Sequence, residues 1–331
     1  MFDSFILDRA HELYGVTAVQ KMPKGYTENI VYETQRDGVH YFLRVAPYTP
    51  QKQAYTEFEV KWMHYLATNM DGVVAPQFSC NHLLAECCEY QGTKYIFCLF
   101  EKAPGQKADP EDASVFNTQL FFNLGALLAN MHNLTVQCPL NCRIQEFEWD
   151  DPTNSWRYQN EIADKEVRFW QTKYHDMLKE LPIDQNTYGI IHWDLHLQNF
   201  LVENGNITAF DFDAFQFNWY TADIASALFF LFMYGAGPLT EKTESQRGRF
   251  GQSCITALLK GYLSVRELSA FWIRKIDLFI KYQMCDEYLA GQSMTGWDRQ
   301  EWYLQWHKNR IVNNMPYIEI NYDQLLEDLG I

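Results

Sequence analysis

The chain has 331 residues, of which 47% are hydrophobic and 21% are charged, and its formal net charge is −15. This length and composition indicate an ordered globular protein with one large two-lobed unit or two domains, and they exclude a disordered chain. The acidic balance argues against a nucleic-acid partner, which requires a basic surface, whereas it is compatible with a cationic substrate or with solubility alone.

The N-terminal segment, MFDSFILDRAHELYG, carries Asp3 and Asp8 within its apolar part. It has neither a basic start nor a cleavage site, so no signal peptide is predicted. The longest apolar run, residues 224–234, is too short to span a bilayer and is interpreted as a buried helix. Eight cysteines include no CxxC pair, which favours reduced thiols over disulfides or a zinc site. Together these features predict a cytoplasmic protein with no membrane partner.

The first hundred residues are predicted to be rich in strands. NIVYETQR and VHYFLRV flank Asp37-Gly38, a pair of residues that favours the primed turn of a β-hairpin. HLLAECCEY and KYIFCLFE flank residues 91–93 and predict a second pair of strands. Between the two pairs, QAYTEFEVKWMHYLATNM has the period of an amphipathic helix.

Two glutamates of this predicted helix fall on opposite faces. Glu59 shares the face of the apolar residues, whereas Glu57 lies four residues before Lys61, as in a solvated pair. A glutamate on a buried face needs a partner, and Arg44 in the strand YFLRV is the natural one. A Glu59 that is partly exposed at the rim of the helix is the alternative.

After residues 101–105 the pattern changes to helices. Helical periods cover residues 114–134, much of 158–181, and most of the chain from Thr221 onward. Two short strands around Asn204-Gly205 interrupt them as another hairpin. The predicted fold class is α+β, with a small β-rich N-terminal lobe that holds one helix (residues 1–102) and a large, mainly helical C-terminal lobe (residues 103–331).

Residues 190–215, IIHWDLHLQNFLVENGNITAFDFDAF, place polar side chains among apolar neighbours. Asp194 and Asn199 are five positions apart, and Asp211 follows twelve positions later, after a strand, a turn and a strand. Phosphoryl transfer requires such a set. One carboxylate orients or deprotonates the acceptor hydroxyl, while an amide oxygen and a second carboxylate hold magnesium against the nucleotide phosphates.

The order H-x-D-L-H-x-x-N-F-L-V, followed by G-x-I-x-x-F-D-F-D, resembles the aminoglycoside phosphotransferase and choline kinase-like family, which includes a homoserine kinase-like branch. This resemblance implies a protein-kinase-like bilobal fold, with ATP or GTP as co-substrate and Mg²⁺ as cofactor. It implies that Asp194 is the catalytic aspartate and that Asn199 and Asp211 are metal ligands. Asp223 resembles the family's aspartate that hydrogen-bonds the catalytic-loop backbone, although stabilisation of a helix N-terminus is an alternative role.

A nucleotide kinase needs a cation on a central strand to reach the phosphates, fixed by an acid on the neighbouring helix. Arg44 and Glu59 fit these two roles, with arginine in place of the lysine of protein kinases. Phe42 and Trp193 depart from the smaller residues that are usual in the family at their positions. The other expected nucleotide contacts are the backbone of Thr27, Glu28 and Asn29 at the phosphates, Val31, Leu201 and Phe210 at the adenine, and the hinge backbone of Phe100, Glu101 and Lys102.

Other interpretations of the central stretch remain open. His192, Asp194 and His196 would face one way on a strand, which would suit a metal-dependent hydrolase or an iron oxygenase. An oxygenase requires an all-β barrel and a later histidine, but the next one is His307, after a helical region. Alternatively, His192 and His196 only brace the loop. A non-catalytic kinase-like nucleotide-binding protein is a further alternative.

The predicted reaction transfers the γ-phosphate of ATP to a hydroxyl of a small molecule such as an amino alcohol or an aminoglycoside. A protein substrate is disfavoured because the loop lacks an arginine after its histidine, DFD replaces DFG, and no APE segment follows. Four tryptophans would supply a cation-binding cage for the acceptor or pack the helices: Trp272, Trp297, Trp302 and Trp306. The sequence does not indicate an oligomeric state.

Overall fold

The computed structural model describes residues 2–25, 28–140, 143–151, 164–293 and 301–331. The chain divides into two compact units, which differ in their secondary structure. The first comprises Met1–Gly105 and Thr208–Asp213, and the second comprises Gln106–Ile207 and Ala214–Ile331. The fold is mixed α+β, with an antiparallel sheet in the first unit and mainly helices in the second, as predicted. The domain limits 1–102 and 103–331 stay a prediction.

The first unit is built on one antiparallel sheet. Its elements are α1 (Phe2–Tyr14), β1 (Thr17–Lys21), β2 (Ile30–Arg36), β3 (Val39–Pro47), α2 (Pro50–Asn69), β4 (Pro76–Gln77), β5 (Glu86–Tyr90) and β6 (Thr93–Glu101). The strand order is β1-β2-β3-β6-β4, and β5 also pairs with β6. Both predicted hairpins are present. Their turns, Asp37-Gly38 and Gln91-Gly92, have positive φ at both residues, as type I′ turns require.

Helix α1 was not predicted from the sequence. It buries Ile6, Ala10 and Tyr14, which are spaced four residues apart and therefore share one face. These side chains belong to one apolar cluster with Leu43 and Phe97 of the sheet. The Tyr14 hydroxyl also donates to the Phe97 carbonyl at 3.0 Å, so the polar end of this buried tyrosine is satisfied. Packing against the sheet therefore stabilises a helix whose own apolar face is narrow.

From residue 106 onward the chain is mainly helical. Its elements are α3 (Thr118–Gln137), α4 (Lys165–Lys179), β7 (Tyr188–Ile191), β8 (Phe200–Glu203), β9 (Asn206–Ala209), β10 (Gln216–Trp219), α5 (Tyr220–Ala236), α6 (Glu244–Leu263), α7 (Ala270–Ser293), α8 (Glu301–Val312) and α9 (Tyr322–Leu329). Strand β7 pairs with β10, and β8 pairs with β9. The predicted Asn204-Gly205 turn is present with positive φ at both residues. The predicted helix in 158–181 is described only from α4 onward, because residues 152–163 lie outside the described ranges.

Helix α5 forms the centre of the second unit, and almost all of its side chains are buried. The apolar run at residues 224–234 is thus a buried helix, as predicted. Within the described ranges, one stretch, Tyr220–Thr240, is long and apolar enough to cross a membrane, but 78% of its apolar window is buried inside the protein. Such burial is typical of a core helix.

Helices α3 and α6 cross at very close range. A Cβ atom on Gly125 of α3 would stand 1.9 Å from the Leu258 carbonyl oxygen, and one on Gly261 of α6 would stand 1.8 Å from the Phe122 carbonyl oxygen. Only glycine permits this approach of two backbones. The crossing brings the C-terminal part of α6 alongside α3, which places residues of both helices behind the loop that follows β7.

Candidate active site

The loop between β7 and β8, residues 192–199, carries the predicted catalytic aspartate. Asp194 is partly exposed, with 36% of its side-chain surface accessible. The Asn199 side-chain amide donates to the Asp194 carbonyl at 2.9 Å and to Asp194 Oδ2 at 3.1 Å. These bonds close the loop and use the amide nitrogen, so the oxygen of Asn199 is the atom left to serve as a ligand for a cation. The structure therefore brings Asp194 and Asn199 together, while their catalytic and metal-binding roles stay a prediction.

Two side chains of α5 hold the backbone of this loop. Asp223 accepts hydrogen bonds from the backbone N–H of His192 at 3.2 Å and of Trp193 at 2.8 Å, as expected for the family's loop-binding aspartate. Asp223 also lies in the first turn of α5, so both of its predicted roles apply. The Ser226 hydroxyl donates to the Trp193 carbonyl. Trp193 has φ +68°, a conformation that is costly for a bulky residue, and the loop needs these contacts to keep it.

Sequence reasoning missed Ser226. The usable signal was its spacing, because residues three apart on a helix share one face and Asp223 was already a candidate. A serine inside the apolar run of α5 is also unusual, since a buried hydroxyl needs a partner.

The two histidines of the loop brace it. His192 is fully buried and its Nδ1 accepts the Asp194 backbone N–H at 3.3 Å, while Nδ1 of His196 accepts the Gln198 N–H at 3.0 Å. Burial lowers the pKa of His196 to about 4, so the ring is neutral at pH 7. Residues 192–196 form no strand, and the described parts of the chain hold no cluster of three metal-ligating side chains. The arrangement favours the bracing role over a metal triad.

In the first unit, Arg44 of β3 and Glu59 of α2 form the predicted ion pair. It is bidentate, with NH1 2.8 Å from Oε1 and NH2 2.6 Å from Oε2. Glu59 is buried and the Arg44 side chain is 11% exposed. Burial acts to lower the pKa of Arg44, but the charge and hydrogen bonds of Glu59 outweigh it and raise that pKa above its usual value. Glu57 is 40% exposed and lies 3.7 Å from Lys61, so the predicted division of the two glutamates is confirmed.

Removing the buried carboxylate should strongly destabilise the protein. We expect Glu59→Ala to lower the free energy of unfolding by about 3–5 kcal/mol, because Arg44 keeps a buried charge without its partner. Glu57→Ala, on the exposed face of the same helix, is the matched control and should change it by less than about 0.5 kcal/mol. Urea denaturation of both variants measures the difference. Equal midpoints would show that the ion pair contributes nothing to stability.

Asp211 follows β9, and its segment is anchored within the first unit. Val74 N–H donates to the Ala209 carbonyl at 3.0 Å, and the Phe212 ring meets Trp62 of α2 edge-on at 5.2 Å. Desolvation, and then the negative charge of Asp213, raise the pKa of Asp211 to about 7, although the residue as a whole is exposed. A cation added beside Asp211 would offset the repulsion between its carboxylate and that of Asp213.

The residues expected to contact adenine differ in burial and in the unit to which they belong. Val31, Leu201 and Phe210 are all partly buried. Val31 lies opposite Arg44 in the pairing of β2 with β3. Val31 and Phe210 belong to the first unit, whereas Leu201 belongs to the second. Phe100 is buried, with the Arg44 guanidinium 5.0 Å from its ring centre.

The hinge donors are already engaged inside the protein. Glu101 N–H donates to the Ala75 carbonyl at 3.1 Å, and Lys102 N–H donates to the His40 carbonyl at 3.4 Å. Of the three residues expected at the phosphates, Glu28 and Asn29 lead into β2, whereas Thr27 lies outside the described residues.

The tryptophans considered for a cation cage are Trp272, Trp302 and Trp306 in the described ranges and Trp297 outside them. Trp306 already interacts with cations of the protein itself: the guanidinium carbons of Arg247 and Arg310 lie 5.2 and 4.3 Å from its ring centre. Trp272 is 6% exposed. These contacts favour helix packing as the role of Trp272 and Trp306.

Comparison with known protein families matches residues 19–267 to the phosphotransferase enzyme family. Among curated proteins, an amicoumacin kinase from Bacillus subtilis (strain 168) is 31% identical over 280 residues, which cover 83% of this chain and 81% of the relative. The match identifies the family and does not test the homoserine kinase-like branch, which stays a prediction.

Solved structures show the same fold. An amicoumacin kinase, hAmiN, in complex with AMP-PNP, Ca²⁺ and Ami superimposes with a TM-score of 0.84 at 25% identity, covering 98% of this chain and 97% of the other. A microcompartment-associated aminopropanol kinase gives a TM-score of 0.67 at 20% identity, with 93% and 94% covered. A spectinomycin phosphotransferase, APH(9)-Ia, in complex with ADP and its antibiotic gives 0.55 at 14% identity, with 99% and 97% covered.

Proposed function

Since this chain belongs to the phosphotransferase enzyme family and is an ATP-dependent small-molecule kinase, we propose that its acceptor is an amine-bearing alcohol, with amicoumacin as the first candidate. The similarity to two amicoumacin kinases supports this choice of acceptor. The net charge of −15 is favourable for a cationic molecule approaching the protein. A cytoplasmic location, where ATP is available and thiols stay reduced, fits the seven free cysteines of the described residues.

In this proposal Asp194 is the catalytic residue. The observation that carries it is the closed loop in which the Asn199 amide holds a partly exposed Asp194 carboxylate. Asp194 orients the acceptor hydroxyl and takes its proton. A bond forms between the acceptor oxygen and the γ-phosphorus while the bond from that phosphorus to the β,γ-bridging oxygen breaks, and ADP leaves with the electron pair.

Relatives of this chain use ATP with a divalent metal ion, and we assign that ion here to Mg²⁺ held by Asn199 and Asp211. Amide and carboxylate oxygens are hard donors, which suit Mg²⁺, but two of them make a poor site alone. The ion is therefore expected only with the nucleotide, where it neutralises charge on the phosphates. Arg44, fixed by Glu59, contacts the phosphates as a planar cation. The remaining nucleotide contacts proposed are Val31, Leu201 and Phe210 and the backbone of Phe100, Glu101 and Lys102.

A phosphate-transfer screen tests the acceptor class. Purified protein with Mg²⁺ and ATP is offered amicoumacin, aminoglycosides, amino alcohols, and alcohols of similar size that lack an amine. Mass spectrometry then detects the addition of one phosphoryl group, and ADP release gives the rate. We expect amine-bearing alcohols to be phosphorylated and amicoumacin to give the highest kcat/KM.

The controls separate the acceptor from the catalytic machinery. The same screen is repeated with the Asp194→Asn variant. Any phosphorylation that this variant still carries out does not depend on the Asp194 carboxylate. Preferential transfer to alcohols without an amine would overturn the proposed acceptor class. Binding of Mg²⁺-ATP with no transfer to any acceptor would instead favour the non-catalytic alternative.

A further inference from the structure

A lysine in the first turn of α2 shares one face of that helix with Glu59. Lys52 and Glu59 are seven residues apart, which is close to two turns of an α-helix, so their side chains lie on the same side. Three other members of this face are buried, as Glu59 is: Thr56, Met63 and Leu66. Glu59 binds Arg44 of β3, so this face is directed at the sheet. Lys52 is partly buried at the N-terminal end of the same face.

The charge of Lys52 acts on two groups close to Arg44. Desolvation and the charge of Asp213 raise the pKa of Asp211, whereas the charges of Arg44 and Lys52 act to lower it. Burial raises the pKa of the Cys98 thiol, which lies opposite Arg44 in the pairing of β3 with β6, and the same two cations oppose that change. Lys52 therefore belongs to the charged cluster around Arg44, all of it within the first unit.

The other cation of this cluster already has a carboxylate of its own. Both terminal nitrogens of Arg44 are hydrogen-bonded to Glu59, and such a bidentate pair carries little net charge. The side chain of Lys52, by contrast, makes no hydrogen bond or salt bridge with any residue in the described ranges. Lys52 is thus the cation whose positive charge remains available to an anion that approaches the cluster.

The position of Lys52 is unfavourable for the stability of α2. Thr49 is the N-cap residue, and its side chain accepts the backbone N–H of Lys52 at 3.0 Å. A cation in the first turn opposes the helix dipole, and no acidic residue in that turn compensates for it. Lys52 also occupies the place where a glutamate or glutamine would complete a capping box with Thr49. A bound anion would offset this cost.

We propose that Lys52 is a phosphate-binding residue of the nucleotide site, whose ammonium group donates to the phosphate chain of ATP beside the Arg44–Glu59 pair. The inference rests on the proposed nucleotide site and adds to it a residue that the sequence motifs did not indicate. Lys52 binds phosphate and takes no part in proton transfer from the acceptor. It therefore strengthens the binding of nucleotides that carry a phosphate chain and leaves the binding of adenosine unchanged.

Two lysines on different faces of α2 allow the charge at this position to be tested alone. Lys52→Gln removes the ammonium group and introduces a side chain that can complete the capping box, so the helix should not be weakened. Lys52→Arg keeps a cation that can reach a phosphate. Lys61→Gln is the matched control, because Lys61 is 56% exposed on the solvent face and lies 3.7 Å from Glu57.

We expect Lys52→Gln to weaken the binding of Mg²⁺-ATP by about 10-fold or more, the loss typical of one hydrogen bond to a charged group. ADP binding should also weaken, whereas adenosine binding should stay within about 2-fold. Lys52→Arg and Lys61→Gln should bind Mg²⁺-ATP within about 3-fold of the wild-type protein. Calorimetry measures the dissociation constants, and the melting temperature of Lys52→Gln should be no lower than that of the wild type.

Three results would overturn the proposal: unchanged affinity for Mg²⁺-ATP in Lys52→Gln, an equal loss of affinity in Lys61→Gln, or an equal loss of affinity for adenosine, which would reveal a loosened pocket. The measurements need no acceptor, so they are independent of the phosphate-transfer screen. A failed screen would reject the proposed acceptor and leave the role of Lys52 standing, whereas unchanged nucleotide binding in Lys52→Gln would reject that role alone.

Discussion

Asp194→Asn is expected to lower kcat by about 10²–10⁴-fold, the contribution typical of a positioned general base. The substitution keeps the shape of the side chain and removes the carboxylate that orients the acceptor hydroxyl. Affinity for Mg²⁺-ATP should stay within about 3-fold, because Asp194 contacts the acceptor in the proposed mechanism and no phosphate. Steady-state kinetics with a true acceptor and saturating ATP, together with calorimetry of nucleotide binding, measure both quantities.

The matched comparison is Asp184→Asn, a similar change in an exposed turn of the same unit. Asp184 caps that turn by accepting the backbone N–H of Asn186 at 2.8 Å, which an asparagine oxygen can also accept. This variant should keep wild-type kcat. Near-normal phosphoryl transfer by Asp194→Asn under the same conditions would remove the residue on which the mechanism depends.

Asp211→Asn is expected to weaken Mg²⁺-ATP binding as well as turnover. The carboxylate is proposed to be one of the groups that would hold Mg²⁺ with the nucleotide, so its loss should weaken nucleotide binding and stabilisation of the transition state alike. We expect kcat to fall by about 10²–10³-fold, the loss seen when one electrostatic contact to developing charge is removed. Titration of Mg²⁺ at fixed ATP should show a higher requirement for the metal in the variant.

Asp213→Asn removes the same charge two residues later and serves as the comparison for Asp211. It should leave the Mg²⁺ requirement closer to that of the wild-type protein, since Asp213 is not a proposed ligand. An equal increase in both variants would show that the assignment to Asp211 alone is wrong. The contrast with Asp194→Asn is equally informative, because only the Asp211 variant is expected to lose nucleotide affinity.

Features set by a few neighbouring residues could be predicted correctly from the sequence. The turns at Asp37-Gly38 and Asn204-Gly205 need positive φ at both positions, and these residue types tolerate it wherever the turn lies in the fold. Helical period alone separated Glu59 from Glu57, because burial of one face follows from spacing. The motif around Asp194 likewise indicated the family, because its residue types and their order lie within one short stretch of the chain.

Features that depend on packing could not be predicted in this way. Helix α1 has a weak pattern of its own and is stabilised by the sheet that it covers. Strands β7 and β10 are short, and their pairing joins residues 188–191 to residues 216–219 across the loop at residues 192–199 and a hairpin. The engagement of the Glu101 and Lys102 amides within the protein depends on neighbours that no local pattern indicates.

The sequence by itself determined the α+β class and the kinase family, and it supplied the side chains proposed to react, because these are encoded in local spacing and residue chemistry. Only the tertiary structure decided what holds those side chains in place. Asp223 is hydrogen-bonded to His132 of α3, which also contacts the hydroxyl of Tyr262 in α6. His132 and Tyr262 are 130 residues apart, and they meet because Gly125 and Gly261 let α3 and α6 approach at backbone contact. A hydrogen bond between distant residues depends on the relative position of two helices, and no period along one chain segment specifies that position.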